Sequence, residues 1–375
     1  EGTMIPEHVF RAYDVRGLVG SDLTPQFACG LGAAIAAEIH AVGGIARCCV
    51  GYDARESGPG LAAGLIAGLT AAGIDVDNIG LVATPHLYHA TVTTAAGGGV
   101  MITGSHNPAQ YNGFKIMVGP DSLHGEAIQR LYHRMVSGLP DPAQVAGVER
   151  RYDALSPYAA DLARRLDPLP RPLTVVVDAG NGCGGLGVPV LEALGAHVIP
   201  LFCEPDPSFP NHHPDPTVEA NLQHLIAAVA EHEADLGVAF DGDVDRIGVV
   251  DENGLVIWGD MLTLLFAREV LKTHPGAAII GEVKCSKTLY DGISEAGGTP
   301  IMWKAGHSLI KAKMKSTGAP LAGEMSGHLF FADRYYGYDD AIYAAGRLLA
   351  LIAAGAQPLS DLLSGLPVTH STPEI

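Results

Sequence analysis

Three carboxylates stand at alternate positions, Asp241, Asp243 and Asp245, in a chain of 375 residues. In an extended segment, residues two apart project to the same side, so this spacing aims all three at one point. Such a cluster is repulsive without a cation, and hard oxygen ligands of this kind suit Mg2+ or Ca2+. An EF-hand loop also opens with alternating aspartates, and Glu252 occupies its twelfth position. That reading fails because the sixth position is Arg246 rather than glycine, and 247–250 is an apolar run of strand type. Three protein oxygens leave room for a phosphate, which fits magnesium at a phosphoryl-transfer site with Arg246 facing phosphate oxygens bidentately. A solvated acidic turn is the plainer alternative, and it sits poorly between two buried apolar strands.

A second polar stretch is Gly99-Val-Met-Ile-Thr-Gly-Ser-His-Asn-Pro108. Its apolar residues read as the end of a buried strand, and Gly104 allows the following turn a backbone that a side chain would forbid. Ser105 then lies at the carboxyl edge of a sheet, where α/β proteins hold ligands, with His106 beside it and Lys115 beyond. In isolation this would be an ordinary Gly-Asn-Pro turn. A third loop, Gly323-Glu-Met-Ser-Gly-His328, presents Glu324 and Ser326 side by side, suited to two neighbouring sugar hydroxyls. His328 alone would read as a satisfied turn residue. Lys284 and His307 also follow strands and would add positive charge to the same cleft. Near the start, Arg16 could present a guanidinium to an anion or pair with Asp14.

Gly180-Asn-Gly-Cys-Gly-Gly185 is the main competitor, because it satisfies Gly-x-Gly-x-x-Gly after a strand, with Glu204 just past the next strand. Those features fit an NAD-dependent oxidoreductase. A glycine-rich strand-to-helix turn gives the same pattern, and the coenzyme reading leaves the aspartates and the serine loop without a role. His212 and His213 are adjacent and hemmed in by prolines, so they read as structural rather than as a chelating pair.

The elements that position these loops read as α/β. Thr24-Pro25 caps a helix whose inward face carries Phe27, Leu31, Ile35 and Ile39. A strand at 48–51, a small-residue helix at 61–72 and a strand at 79–82 lead to the serine loop. A helix marked by Ile128, Leu131, Tyr132 and Met135 closes a first domain, and 139–172 reads as a linker with one short helix. Strands are predicted at 173–178, 197–202, 236–240 and 247–251, with a helix at 219–231. A third unit has helices at 261–271 and 339–354 and strands at 277–283 and 299–303. The result is an α/β fold of three tandem related domains, at 1–140, 150–254 and 255–368. Their mixed sheets are covered by helices and surround a central cleft, each domain contributing one loop.

Composition narrows the partners. A formal net charge of −18 argues against nucleic acid and anionic membranes. The six cysteines form no CxxC pair and suit buried thiols in a reducing cytoplasm. No segment reads as a membrane span or a signal peptide, and 1–3, ahead of Met4, read as a remnant outside the protein proper.

Together, Tyr13-Asp-Val-Arg-Gly17, Thr103-Gly-Ser-His-Asn-Pro108, Asp241-Gly-Asp-Val-Asp-Arg246 and Gly323-Glu-Met-Ser-Gly-His328 resemble the α-D-phosphohexomutase superfamily. Met325 in the last loop is similar to the bacterial phosphomannomutase/phosphoglucomutase group. The resemblance implies a phosphoserine at Ser105 that completes a magnesium shell with Asp241, Asp243 and Asp245. It implies hexose phosphates as substrates and a hexose 1,6-bisphosphate intermediate; a monomer is expected. Arg246, Lys115, Arg16 and His106 are then catalytic candidates, the last three for proton transfer. Tyr13, Arg16, Lys284, His307, Glu324, Ser326 and His328 are candidates for holding substrate. The family has a fourth, phosphate-clamping domain, and the chain stops where it should begin, so reduced activity is expected. A dehydrogenase using Gly180 to Gly185 and a non-catalytic sugar-phosphate binder remain as alternatives.

Overall fold

A computed structural model describes residues 4–367, so the ends of the first and third expected domains lie outside the described residues. The first sheet has the order β1-β5-β4-β2-β3-β7, with β6 on the edge of β5. Its elements are β1 (Val15–Leu18), α1 (Pro25–Ala41), β2 (Arg47–Tyr52), α2 (Gly58–Ala71), β3 (Asp75–Leu81) and α3 (Thr84–Thr93). β4 (Gly98–Ile102), β5 (Tyr111–Val118), β6 (Asp121–Ser122) and α4 (Glu126–Ser137) follow. As expected, Thr24 caps α1, its hydroxyl accepting the Phe27 amide at 3.0 Å. β4 is buried along its whole length, and β5 returns antiparallel beside it, so the serine loop is the turn of a central hairpin.

The stretch 139–172 is not a plain linker. β7 (Glu149–Arg151) adds a parallel edge strand to β3, carrying the first sheet past residue 140. α5 (Leu155–Arg165) buries Tyr158 and Leu162 in a core shared with the second sheet. That second sheet, ordered β12-β11-β10-β8-β9, is built from β8 (Thr174–Asp178), α6 (Val188–Ala193), β9 (His197–Leu201), α7 (Gln223–Glu231), β10 (Leu236–Phe240), β11 (Ile247–Asp251) and β12 (Val256–Ile257). β10 is apolar and buried on both faces because β8 and β11 flank it and helices cover it. The third sheet, β14-β13-β15-β16, uses α8 (Gly259–Thr273), β13 (Ala278–Glu282), α9 (Lys287–Glu295), β14 (Thr299–Trp303), α10 (His307–Thr317), β15 (Leu321–Gly323), β16 (Leu329–Phe331), α11 (Ala341–Ala353) and α12 (Leu359–Leu362). One apolar cluster runs from α3 through the second sheet to α11, so the three units share a core.

Asp340 ties that core together. Its carboxylate accepts the hydroxyls of Tyr158 (2.8 Å) and Tyr335 (2.7 Å) and caps α11 through the Tyr343 amide (2.9 Å). Burial pushes its pKa up to about 6, against the pull of those donors. An ordinary aspartate titrates near about 3.9, so the folded state holds the proton more tightly than the unfolded chain. The associated stability is therefore present in acid and is lost as pH rises from about 4 to about 6. Asp340→Asn keeps the cap but has no charge to bury. Relative to the parent, it should gain up to about 3 kcal/mol between pH 4 and pH 8 in urea denaturation. A pH-independent difference would place the proton elsewhere.

Candidate active site

β4 delivers the chain into the serine loop through Thr103, whose hydroxyl donates to Asp53 at 2.6 Å and accepts the Ser105 amide at 2.8 Å. Ser105 itself takes the left-handed conformation, φ +53°, rare for a residue with a side chain. Gly104 is therefore not the turn's left-handed residue, as its sequence context implied. It is glycine because a Cβ there would lie 2.4 Å from the Arg55 guanidinium carbon. The twist at Ser105 brings its buried Oγ to 3.2 Å from Asp241 Oδ2 and 3.3 Å from His106 Nδ1.

The aspartates converge, though not by extended alternation. Residues 241–246 form a tight turn between β10 and β11, with Val244 at φ +66°. Asp241 Oδ1 accepts the amides of Asp245 (3.1 Å) and Arg246 (3.2 Å), which pins the turn. Asp243 Oδ2 accepts Thr84 Oγ1 and Lys115 Nζ, each at 2.6 Å, and Asp245 Oδ2 accepts the same ammonium at 2.6 Å. What remains is a donor set. Asp243 Oδ1 and Asp245 Oδ1 are buried without hydrogen-bond partners among the described residues, and Asp241 Oδ2 faces the serine. Ligand atoms of the three carboxylates lie within 4.8 Å of one another, so the residues fit a divalent cation.

Charge follows the same geometry. Burial, with Asp245 and Asp243 alongside, raises Asp241 well above the carboxylate range. Burial also acts on Asp245, but Lys115 and His328 outweigh it and hold that carboxyl low. Lys115 loses some basicity to burial and regains more from Asp243 and Asp245, so it binds its proton firmly. It compensates the charge of both carboxylates and also lines the cleft beside Ser105.

The glycine loop is explained by close packing. A Cβ on Gly182 would lie 2.7 Å from the Gly242 carbonyl, one on Gly242 would lie 2.5 Å from the Ser105 carbonyl, and Cys183 N–H donates to Gly242 O at 3.0 Å. Gly185 likewise faces the Cys203 carbonyl, where a Cβ would sit at 2.4 Å. These glycines let two backbones approach behind the aspartate turn, and the α6 that follows is only six residues long. His212 bonds Asp178 at 2.8 Å and His213 bonds the His106 carbonyl, so both histidines brace loops, as their proline context implied.

Opposite the serine lies the third loop. Tyr13, Arg16, Ser105, Arg246, His307 and His328 line one end of a cleft, and Lys284, Glu324 and Ser326 line its continuation. Arg16 pairs with Asp14, as its plainer reading had it, donating to it at 2.5 Å, and also donates to the Asn107 side chain at 2.7 Å while lining the cleft. Tyr13 crosses from the first domain to the third, its hydroxyl on the Ala305 carbonyl at 3.1 Å. Glu324 Oε2 accepts the Gly306 amide at 3.0 Å, while its buried Oε1 has no hydrogen-bond partner among the described residues. Burial lowers His106 to about 4, aided by Arg246, and lowers His307 well below its ordinary value, aided by Lys311. Burial also acts on His328, but the carboxylates of Asp245 and Asp339 lift it above the ordinary value.

Several contributors were not foreseen from the sequence. Asp339 takes His328 Nδ1 at 2.9 Å and lies 3.2 Å from Lys311, while His328 Nε2 accepts Arg246 Nε at 3.0 Å. Asp339 was read as the start of a helix, and Lys311 lay in a helix that was not predicted. Thr84 begins α3, whose threonines and histidines disguise it. Trp258 lines the cleft beside Lys284, Met325 and Ser326, and its only signal was a tryptophan at a strand-to-helix junction.

The sequence matches three consecutive family models. They are phosphoglucomutase/phosphomannomutase alpha/beta/alpha domain I at residues 7–136, domain II at 156–254 and domain III at 258–369. A phosphomannomutase/phosphoglucomutase of Pseudomonas putida is 49% identical over 372 residues, 99% of this chain and 80% of that protein. A phosphoglucomutase of Neisseria gonorrhoeae is 48% identical over 372 residues, with the same shares covered. The crystal structure of a phosphoglucomutase/phosphomannomutase family protein from Burkholderia thailandensis superposes with a TM-score of 0.93 at 45% identity. It covers 99% of this chain and 82% of that one. These matches give no support to the oxidoreductase alternative. A serine bonded to one of three clustered aspartates, facing the Glu324 loop across a cleft, agrees with them, and the chain belongs to the phosphoglucomutase/phosphomannomutase family.

Proposed function

We propose that the chain is a phosphohexomutase that interconverts the 1- and 6-phosphates of mannose, glucose or both. Ser105 carries the phosphoryl group and a hexose 1,6-bisphosphate is the intermediate. The observation that carries this is Ser105 Oγ at 3.2 Å from Asp241, beside two buried carboxylate oxygens without partners. Mg2+ is the cation that Asp241, Asp243, Asp245 and the Ser105 oxygen suit, because it favours hard oxygens and keeps a phosphoryl oxygen among its ligands. Bound there, it would neutralise charge on the transferring group.

The transfer is a balanced exchange. A sugar hydroxyl oxygen bonds to phosphorus as the bond from phosphorus to Ser105 Oγ breaks. The hydroxyl proton passes to a base, and Ser105 Oγ regains a proton. In the return half, the turned bisphosphate gives its other phosphoryl group back to Ser105. His106, held neutral by burial and lining the cleft beside Ser105, suits the base role. His328 gives Nδ1–H to Asp339 and accepts Arg246 Nε on Nε2, so it orients Arg246. Neutral His106, 3.3 Å from Ser105 Oγ, suits holding the serine proton. Arg246 and Arg16 neutralise phosphate charge without giving up protons. Tyr13, Lys284 and His307 suit the phosphate that is not reacting, and Glu324 with Ser326 suits two neighbouring hydroxyls. A monomer in a reducing cytoplasm completes the reading, with all six cysteines free.

Purified chain should carry one phosphoryl mass on Ser105, and Ser105→Ala should lose both that mass and most turnover. Phosphopeptide mapping to another residue would move the carrier. Asp243→Asn should weaken magnesium binding by about 10- to 100-fold, since it removes a charged ligand. In the parent, magnesium affinity should rise with pH, because the raised Asp241 must shed its proton to bind. A titration unchanged by the substitution would remove the triad from the mechanism. Glu324→Gln should cut kcat/KM by about 10- to 100-fold for both hexose phosphates, and equal activity would make its loop purely structural.

A further inference from the structure

The loop that follows β2 lines no part of the cleft described above, yet it holds the serine turn from behind. Arg55 is buried, and its guanidinium reaches four carbonyl oxygens of that turn. Nη1 donates to Pro108 O (2.7 Å) and Tyr111 O (2.9 Å), and Nη2 donates to Asn107 O (2.7 Å) and Ser105 O (3.2 Å). Asp53 sits 3.5 Å from Arg55 Nε and takes the Thr103 hydroxyl, whose oxygen in turn accepts the Ser105 amide. Phe209 lies over the guanidinium at 5.3 Å, and Gly104 approaches so closely that a Cβ would strike its central carbon.

A serine at φ +53° is strained, and such a conformation persists only where its surroundings over-determine it. Here one planar cation gathers both arms of the turn, and no compact ammonium can copy that fork. We infer that Arg55, oriented by Asp53, is the positioning residue for the phosphoryl carrier. It holds Ser105 in the left-handed conformation that aims Oγ at Asp241, and turns the loop's carbonyl dipoles away from the transferring phosphate. This rests on Ser105 being the carrier. Arg55 touches neither Ser105 Oγ nor the residues that grip sugar, so its loss acts on turnover and spares substrate affinity.

The test uses Arg55→Lys and, from the other side of the contact, Gly104→Ala, each in the full chain with trace glucose 1,6-bisphosphate. Misplacing a reacting group by about 1 Å costs on the order of a hundredfold, so kcat for glucose 1-phosphate should fall about that far in each variant. KM should stay within about twofold of the parent, since the sugar contacts are intact. In Arg55→Ala, millimolar guanidinium should restore part of kcat and methylammonium should not. A folded Arg55→Lys or Gly104→Ala with parental kcat, or a loss confined to KM, would overturn the inference. Intact mass separates the two readings. Phosphate on Ser105 with unaffected variants sinks only the role of Arg55, whereas a parent phosphorylated elsewhere sinks the carrier itself.

Discussion

One buried ammonium organises this molecule. Lys115 stands on β5 of the first domain, and its Nζ lies 2.6 Å from both Asp243 and Asp245 on the turn of the second. Three carboxylates this close and this buried repel one another, and leaving them uncompensated would favour pulling the turn apart. Lys115 supplies charge from across the domain boundary, so docking of the first domain stabilises the acidic turn. Removing one partner of such a buried set typically costs about 3–5 kcal/mol. The interaction that makes the acidic turn tolerable thus also sets the Ser105 loop beside it, and Thr84 adds a second tie between the same domains.

Much of this was legible because the chemistry sits at strand ends. The strands at 236–240 and 247–251 agree with β10 and β11, and that at 299–303 with β14. What was missed shares one cause: local pattern gave way to tertiary demand. β5 carries Asn112 and Lys115, polar residues that are buried, with Gly113 beside them, so its period-two signal is broken. α3 opens with Thr84-Pro and is rich in residues of poor helix propensity, held helical by packing on all sides. The carboxylate convergence was right in outcome and wrong in cause. Nothing in the sequence marks Val244 as left-handed; the Asp241 carboxylate imposes it by gathering the amides beyond.

Gly180 to Gly185 shows why a fingerprint needs its context. Dinucleotide sites use glycines so that a backbone can approach a pyrophosphate. Here the approaching object is another stretch of protein backbone, the Gly242 turn. The residue requirement is the same in both cases, so spacing alone could not decide between them. The competing motif turned out to be part of the support for the site it competed with.

The cleft also has a logic imposed by its substrate. In the proposed reaction, a bisphosphate that reverses within one site would present phosphate first to the serine and then to the far wall. Groups able to serve both orientations must therefore lie between the two ends. Arg246 does, lining the cleft from the His106 end to the Glu324 loop and bonding His328 on the way. Behind His328, Asp339 is held by Lys311, and Lys311 reaches the Ser122 hydroxyl of the first domain at 2.8 Å. The imidazole of the third domain is thus oriented through a chain that ends in the first, as the carboxylates of the second are through Lys115. The chemical groups of the second and third units are fixed by the first, which is why neither of their loops, read alone, rises above an ordinary polar turn.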